Sequence, residues 1–154
     1  MESKEYVLNT MQQYGEIVAS NIQAKSPEMD GTQLYDVQEF IPDFAEAVKL
    51  KNMLEREVGF VCRSSEGRVI KLLQKYDSSI YTDEPEKLPA QWGFVWSKEP
   101  EHALPFVAIS TSPYMKDDCA IGLDGQVYRS TIDNNVWEPT AYPAGWLLVV
   151  SEGE

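Results

Sequence analysis

The sequence predicts an α+β protein in which N-terminal helices are followed by two tandem small three-stranded antiparallel β-modules. The first observation is a repeat, because the motif Pro-Ala-Gln-Trp that ends at Trp92 returns as Pro-Ala-Gly-Trp ending at Trp146. The second is that each copy follows a tight turn and an alternating apolar strand, the turns lying at Gly67 and Gly125. The third is a helical spacing of apolar residues near the N-terminus. Such degenerate self-similarity is typical of a small unit used twice.

Length and composition allow one ordinary domain or two very small ones. The chain has 154 residues, of which 43% are hydrophobic, and this is enough to form a core. We expect a helical N-terminal and assembly segment at residues 1–57, a first β-module at 58–98 and a second β-module at 106–150.

Residues 1–26 are predicted to form a helix. One stripe of the helix carries apolar side chains spaced by three or four residues, namely Val7, Met11, Tyr14, Val18 and Ile22. The pattern ends at Ser26-Pro27, since the residue before proline avoids the α region. The stripe could pack on the chain's own domain or form the seam of a homo-oligomer.

The next segment is predicted to hold a turn at Asp30-Gly31 and a shorter helix at residues 42–50. Pro42 suits the first helical position, and Asp43 and Glu46 suit the positive end of the helix dipole. We expect this helix to dock on the first β-module.

Each module is predicted to consist of a hairpin and a third strand that begins at the repeated tryptophan. The Asp124-Gly125 pair is among the strongest short hairpin signals. The predicted strands are residues 58–63, 69–74 and 92–96 in the first module, and 119–123, 127–132 and 146–150 in the second, with an entry strand at 106–109.

Charge and hydropathy exclude several classes of partner. A net charge of −12 opposes nucleic-acid binding, which needs a cationic face. The same acidity leaves an alternative function, that of a small inhibitor that imitates the charge of DNA and blocks a DNA-binding enzyme. The sequence has no apolar run of about 18–20 residues that could span a membrane. Its first residues lack the pattern of a secretory signal, so we expect no export by the general secretory pathway and no membrane partner.

Nothing in the sequence predicts catalysis, a metal or a cofactor. The chain has two cysteines, Cys62 and Cys119, and one histidine, His102. These are too few for a disulfide framework or a Cys/His zinc set. The two cysteines are expected to be buried thiols at related strand positions. His102 lies in a charged segment that is predicted to be a solvated hinge, and the hydroxyls at residues 110–112 lack the glycines of a nucleophile elbow. We therefore expect a non-enzymatic protein.

Aromatic residues of the β-modules are better candidates for function, because a pyranose ring can lie flat on an aromatic face. Trp92 and Trp146 each open an apolar strand, so each could instead fill the core of its module. Trp137 lies in a polar loop. Its side chain could either be exposed and contact a ligand or pack against the protein.

The C-terminal sequence resembles the small chitin-binding-type carbohydrate-binding modules. The runs that carry the likeness are PYMKDD at 113–118, DGQVYRS at 124–130 and DNNVWEPTAYPAGW at 133–146. The version ending in Tyr-Pro-Ala-Gly-Trp resembles C-terminal modules of virion accessory proteins from phages and prophages of bacteria with thick cell walls. The likeness covers about residues 30–149 and is specific in the last 40. Two departures are Asp117-Asp118 in place of Gly-Asp, and Ile70 in place of the strand aromatic in the first module.

The resemblance implies a virion structural or adhesion protein, associated with a fibre or tail and made in the host cytoplasm, with a scaffold-like first module and a carbohydrate-binding-module-like second one. Its partners would be other virion proteins and a cell-wall or surface glycan, which it would bind weakly and multivalently as a homo-oligomer assembled through the N-terminal helix. Matching the family motif places sugar contacts at Tyr114, Tyr128 and Trp146, and the loop residue Trp137 joins them as a candidate. The alternative is a small acidic phage-encoded inhibitor of a host or defence enzyme.

Overall fold

The computed structural model describes residues 21–149 and shows an α+β fold with two β-sheets. Residues 21–25 are helical and lead into a 3₁₀ turn, Ser26–Glu28. Two short helices follow, α1 (Gly31–Asp36) and α2 (Phe44–Leu50). Further 3₁₀ turns lie at Gln38–Phe40, Met53–Glu55, Pro85–Lys87, Pro100–His102 and Pro143–Gly145. Most of the helix predicted over residues 1–26 lies outside the described residues.

Two details of the helical region differ from the sequence-based prediction. Asp30 does not sit in a turn but caps α1, because its carboxylate accepts from Gln33 N–H at 2.9 Å while the Gln33 side chain accepts from Asp30 N–H. Pro42 lies before the N-cap residue Asp43 rather than at the first helical position of α2. Local hydrogen bonding at Asp30 therefore starts a helix that apolar periodicity alone does not reveal.

The first sheet is a three-stranded antiparallel meander of β1 (Val61–Arg63), β2 (Val69–Leu72) and β3 (Trp92–Phe94). The second contains β4 (Leu104–Pro105), β5 (Cys119–Ile121), β6 (Val127–Ser130) and β7 (Trp146–Leu148) in that spatial order. Strands β5 to β7 form the same antiparallel meander, whereas β4 pairs with β5 in parallel. The meander β5 to β7 matches the three strands predicted for the second module, whereas the entry strand expected at residues 106–109 lies earlier and is shorter, as β4.

The repeat is visible in the strand register. Trp92 pairs with Leu72, which lies five residues after Gly67, and Trp146 pairs with Ser130, five residues after Gly125. Both glycines have positive φ, 86° and 80°, in equivalent hairpin turns. The two cysteines are both buried, but they are offset by one residue in the repeat. Cys62 pairs with Ile70, whereas Cys119 pairs with Arg129.

One hydrophobic core joins the two sheets and α2. Its buried members include Phe44, Met53, Cys62, Ile70, Leu72, Trp92, Phe94, Trp96, Tyr114, Ala120 and Trp146. Because side chains alternate along a strand, Val61 and Val69 face the other side of the first sheet and form a second cluster with Ile22, Leu34 and Tyr35. The first sheet is therefore covered on both faces, and the end of the N-terminal helix packs on the chain's own domain at Ile22.

Polar contacts also tie the parts together. The Gln23 side chain donates to Val61 C=O at 2.7 Å and accepts from Val61 N–H at 2.9 Å, so it completes the hydrogen bonding of the outer edge of β1. Buried Arg68 donates to Pro105 C=O at 2.7 Å and pairs with Glu86 at 3.2 Å. Arg68 thus links the first hairpin to the start of the second sheet.

Among residues 21–149, no helix is both long enough and apolar enough to cross a bilayer.

Candidate functional site

The four predicted sugar contacts differ sharply in exposure. Tyr114 and Trp146 are buried, Tyr128 is half-buried, and Trp137 is 50% exposed. Of the four, Trp137 offers the largest free aromatic surface.

Tyr114 and Trp146 belong to the core. The Tyr114 ring stacks on Trp96 with centroids 4.2 Å apart, and Trp146 meets Tyr114 edge to face at 5.5 Å. The Tyr114 hydroxyl accepts from Val107 N–H at 3.3 Å. Neither ring presents a face to a ligand in this conformation. Trp146 fills the core, which is the second of the two placements left open by the sequence.

The buried Trp146 instead positions Trp137. Its indole N–H donates to the Trp137 carbonyl at 2.7 Å, and Asn135 Oδ1 accepts from Trp137 N–H at 3.2 Å. The backbone of Trp137 is therefore held on both sides. The sequence makes Trp137 and Trp146 both sugar-contact candidates, but their roles differ, since Trp137 is exposed and Trp146 supports its backbone.

Asn135 organises this part of the fold. It is fully buried, and its backbone exchanges two hydrogen bonds with Tyr114 at 2.7 and 2.9 Å. Its side-chain amide donates to Ser130 Oγ at 3.1 Å and to Gly145 C=O at 2.9 Å. Asn135 thus joins the loop that carries Trp137 to β6 and to the repeated Pro-Ala-Gly-Trp segment.

Tyr142 lies beside Trp137, although the sequence did not single it out as a site residue. It is 40% exposed, and its ring centroid lies 5.2 Å from that of Trp137 at an interplanar angle of 53°. Gly145 makes room for the ring, because a Cβ there would lie 2.8 Å from a Tyr142 ring carbon. Trp137 and Tyr142 together are called the aromatic pair below.

The Glu138 carboxylate holds the loop of the aromatic pair against the hairpin of β5 and β6. Glu138 accepts from Leu123 N–H at 2.9 Å and from Thr140 N–H at 2.9 Å. The Tyr128 hydroxyl donates to Asp124 at 2.5 Å, and this hydrogen bond raises the pKa of Tyr128. Tyr128 is thus half-buried and engaged with its own hairpin, while Glu138 orders the loop that presents Trp137.

Acid is expected to weaken this arrangement. Partial burial acts to raise the pKa of Glu138, but hydrogen bonds from Thr140 and from the N–H groups of Leu123 and Ala141 outweigh it and hold the pKa below its ordinary 4.5. Because the pKa of Glu138 is lower in the folded state than in the unfolded state, its ionised carboxylate stabilises the fold at pH values above the unfolded-state pKa. This stabilisation is lost as pH falls through the folded pKa.

The melting temperature of the wild type should therefore fall more steeply than that of Glu138→Gln as the pH is lowered from about 5 to about 2.5. Glu101→Gln, on an exposed turn, should keep the wild-type slope. Parallel pH profiles for the wild type and Glu138→Gln would show that the Glu138 contacts contribute no pH-dependent stability.

The hydroxyls considered for catalysis make structural hydrogen bonds. Ser112 Oγ is buried and accepts from Phe94 N–H at 2.9 Å, while Thr111 donates to Pro89 C=O at 3.2 Å. What the aromatic pair can do chemically is offer two adjacent, partly exposed apolar ring surfaces to a ligand.

Comparison of the chain with protein-family models, with curated proteins and with solved structures finds no match.

Proposed function

We propose that the chain is a non-enzymatic virion structural and adhesion protein of phage type, which binds host surface glycans weakly through the aromatic pair of its C-terminal sheet. The observation that carries the glycan part is the pair itself, two adjacent part-exposed rings on a loop whose backbone is fixed. The virion part rests on the resemblance of residues 113–146 to virion-associated carbohydrate-binding modules.

The chemistry of the pair suits a pyranose ring. The polarised C–H bonds of a sugar pack on aromatic faces, and neighbouring amides and hydroxyls take up its hydroxyl groups. Because the backbone on both sides of Trp137 is held, little conformational entropy is lost when a sugar orders this residue. Preorganisation of this kind makes a small platform effective despite its modest area.

The angle between the rings narrows the class of glycan. Two rings inclined at 53° cannot both lie on one flat surface. The pair therefore fits a single pyranose or a bent stretch of a soluble chain better than the planar face of a crystalline polysaccharide. Amorphous cell-wall glycan is the preferred ligand on this argument.

Single-site affinity is expected to be weak, with a dissociation constant on the order of 1 mM, which corresponds to about 4 kcal/mol. Several copies joined through the N-terminal helix would gain avidity without further contacts, provided that the sites can reach the wall together. Localisation on the virion would supply that multivalency.

Retention on purified Gram-positive cell walls and on chitin tests the proposal. Trp137→Ala and Tyr142→Ala should each reduce retention about tenfold or more, since each removes one face of the platform. Tyr81→Ala removes a tyrosine that is 58% exposed in the first module and should bind like the wild type.

Unchanged circular dichroism and melting temperature would establish that the variants are folded. Absence of wild-type retention on every wall would contradict glycan binding. Equal losses in all three variants would contradict the location of the site.

A further inference from the structure

Three potential metal ligands meet at the end of α1. Asp36 is the last residue of that helix. Glu99 precedes the 3₁₀ turn Pro100–His102 in the connection between the two sheets, and His102 ends that turn. Their ligand atoms all lie within 4.8 Å of one another. We propose that Asp36, Glu99 and His102 bind one divalent transition-metal ion, with Zn²⁺ the preferred cation.

Sequence and local structure aim two of the ligands at the same point. Glu99 and His102 are three residues apart, and side chains at i and i+3 of a 3₁₀ turn lie on the same side. Pro100 fixes the start of the turn, and His102 N–H donates to Glu99 C=O at 3.0 Å. The position of His102 also corrects the solvated hinge predicted from sequence, because its side chain is only 24% exposed.

The distances fit ligands of one ion better than they fit hydrogen bonds. His102 Nδ1 lies 3.7 Å from Asp36 and 3.5 Å from Glu99, beyond the ~2.7–3.2 Å of a good N–H···O bond. Two ligands bound to Zn²⁺ at about 2.0–2.2 Å and a tetrahedral angle lie roughly 3.3–3.6 Å apart. His102 Nδ1 therefore lies from each carboxylate at close to the separation of two ligands of one ion.

A second, independent observation is that His102 Nδ1 has no solvent-accessible surface to speak of and no hydrogen-bond partner among the described residues. A buried nitrogen without a partner costs free energy, whether it carries a lone pair that meets no donor or metal ion or a proton that meets no acceptor. This nitrogen is the one that faces both carboxylates. A metal ion at the centre would satisfy the nitrogen and neutralise the two acids together.

The surroundings hold the imidazole in place. Its ring stacks against Tyr35 with centroids 6.4 Å apart. The Tyr35 hydroxyl is in turn fixed, since it donates to Val95 C=O at 3.0 Å and accepts from Val69 N–H at 3.0 Å. Contacts that orient a ligating histidine are a regular feature of metal sites.

The ligand types point to the cation. Imidazole with carboxylates suits Zn²⁺, whereas Mg²⁺ prefers oxygen ligands alone, and Zn²⁺ binds more tightly than Mn²⁺ in a given site. Three protein ligands leave a fourth position for water, which the 49% exposure of the Asp36 side chain permits. An ion bound there would tie α1 to the connection between the sheets.

Calorimetric titration of the full-length, EDTA-treated and tag-free protein with ZnCl₂ tests the site. We expect one Zn²⁺ per chain, a rise in melting temperature of about 5 °C with excess Zn²⁺, and no comparable effect of Mg²⁺. His102 is the one histidine in the sequence, so a zinc-dependent shift of the single imidazole NMR signal reports on this site alone.

His102→Gln and Glu99→Gln should each weaken Zn²⁺ binding at least tenfold, whereas Glu101→Gln, in the same turn, should bind like the wild type. Should His102→Gln fail to fold, Asp36→Asn at the exposed end of α1 should show the same tenfold loss. Absence of Zn²⁺ binding, or binding that persists unchanged in His102→Gln or Asp36→Asn, would overturn the proposal.

Discussion

Replacing Gly31 by alanine is expected to lower the free energy of unfolding by more than about 3 kcal/mol. A Cβ at this position would lie 2.0 Å from the backbone oxygen of Trp96 and 2.8 Å from its nitrogen. Backbone atoms cannot yield as a flexible side chain can, so α1 must move away. Its buried residues Leu34 and Tyr35 would then leave the second hydrophobic cluster.

The control for this prediction is Gly125→Ala. Gly125 has a positive φ of 80°, but a Cβ at this position would meet no atom within 4 Å. Alanine there should therefore cost only about 1–2 kcal/mol of backbone strain. Chemical denaturation of both variants measures the difference. A Gly31→Ala variant as stable as Gly125→Ala would contradict the close packing of α1 on Trp96.

Replacing Asn135 by alanine is expected to cost about 2–4 kcal/mol and also to abolish glycan retention. The substitution removes the buried side-chain hydrogen bonds to Ser130, Gly145 and Trp137. Ser130 and Gly145 keep other partners, whereas Trp137 N–H loses the one that fixes it. The aromatic pair should therefore become mobile even in molecules that remain folded.

Asn134→Gly provides the matched control. Asn134 is exposed and has a left-handed φ of 56°, which glycine adopts freely, so the substitution should change stability by less than about 0.5 kcal/mol. Urea denaturation and wall retention of the two variants test both halves of the prediction. Full retention by Asn135→Ala would show that the platform does not depend on this support.

The repeat could be predicted from sequence because its signals are local. Glycine at a positive φ sets each hairpin turn, and the turn fixes the register that places Trp92 and Trp146 at equivalent positions. The parallel strand β4 could not be predicted, since two residues, Leu104–Pro105, carry no periodicity. Its pairing with β5 depends on tertiary packing.

The candidate site was only partly predictable for the same reason. A tryptophan in a polar loop is a visible signal, and Trp137 is indeed half exposed. The supporting role of Trp146 depends on a hydrogen bond across nine residues, and no sequence pattern reports it. The charged neighbours of His102 predict a solvated hinge, but Asp36 and Tyr35 reach its side chain from a helix more than 60 residues earlier.

The most direct test of the central claim uses the four tryptophan indole N–H signals in a ¹⁵N NMR titration with soluble chito-oligosaccharides and peptidoglycan fragments. Within residues 21–149, the indoles of Trp92, Trp96 and Trp146 donate to protein acceptors at 3.0, 3.1 and 2.7 Å, whereas that of Trp137 has no such partner. We predict that the Trp137 signal shifts saturably at millimolar sugar while those of Trp92 and Trp96 stay in place. A titration that leaves the Trp137 signal unmoved by every glycan would contradict the account.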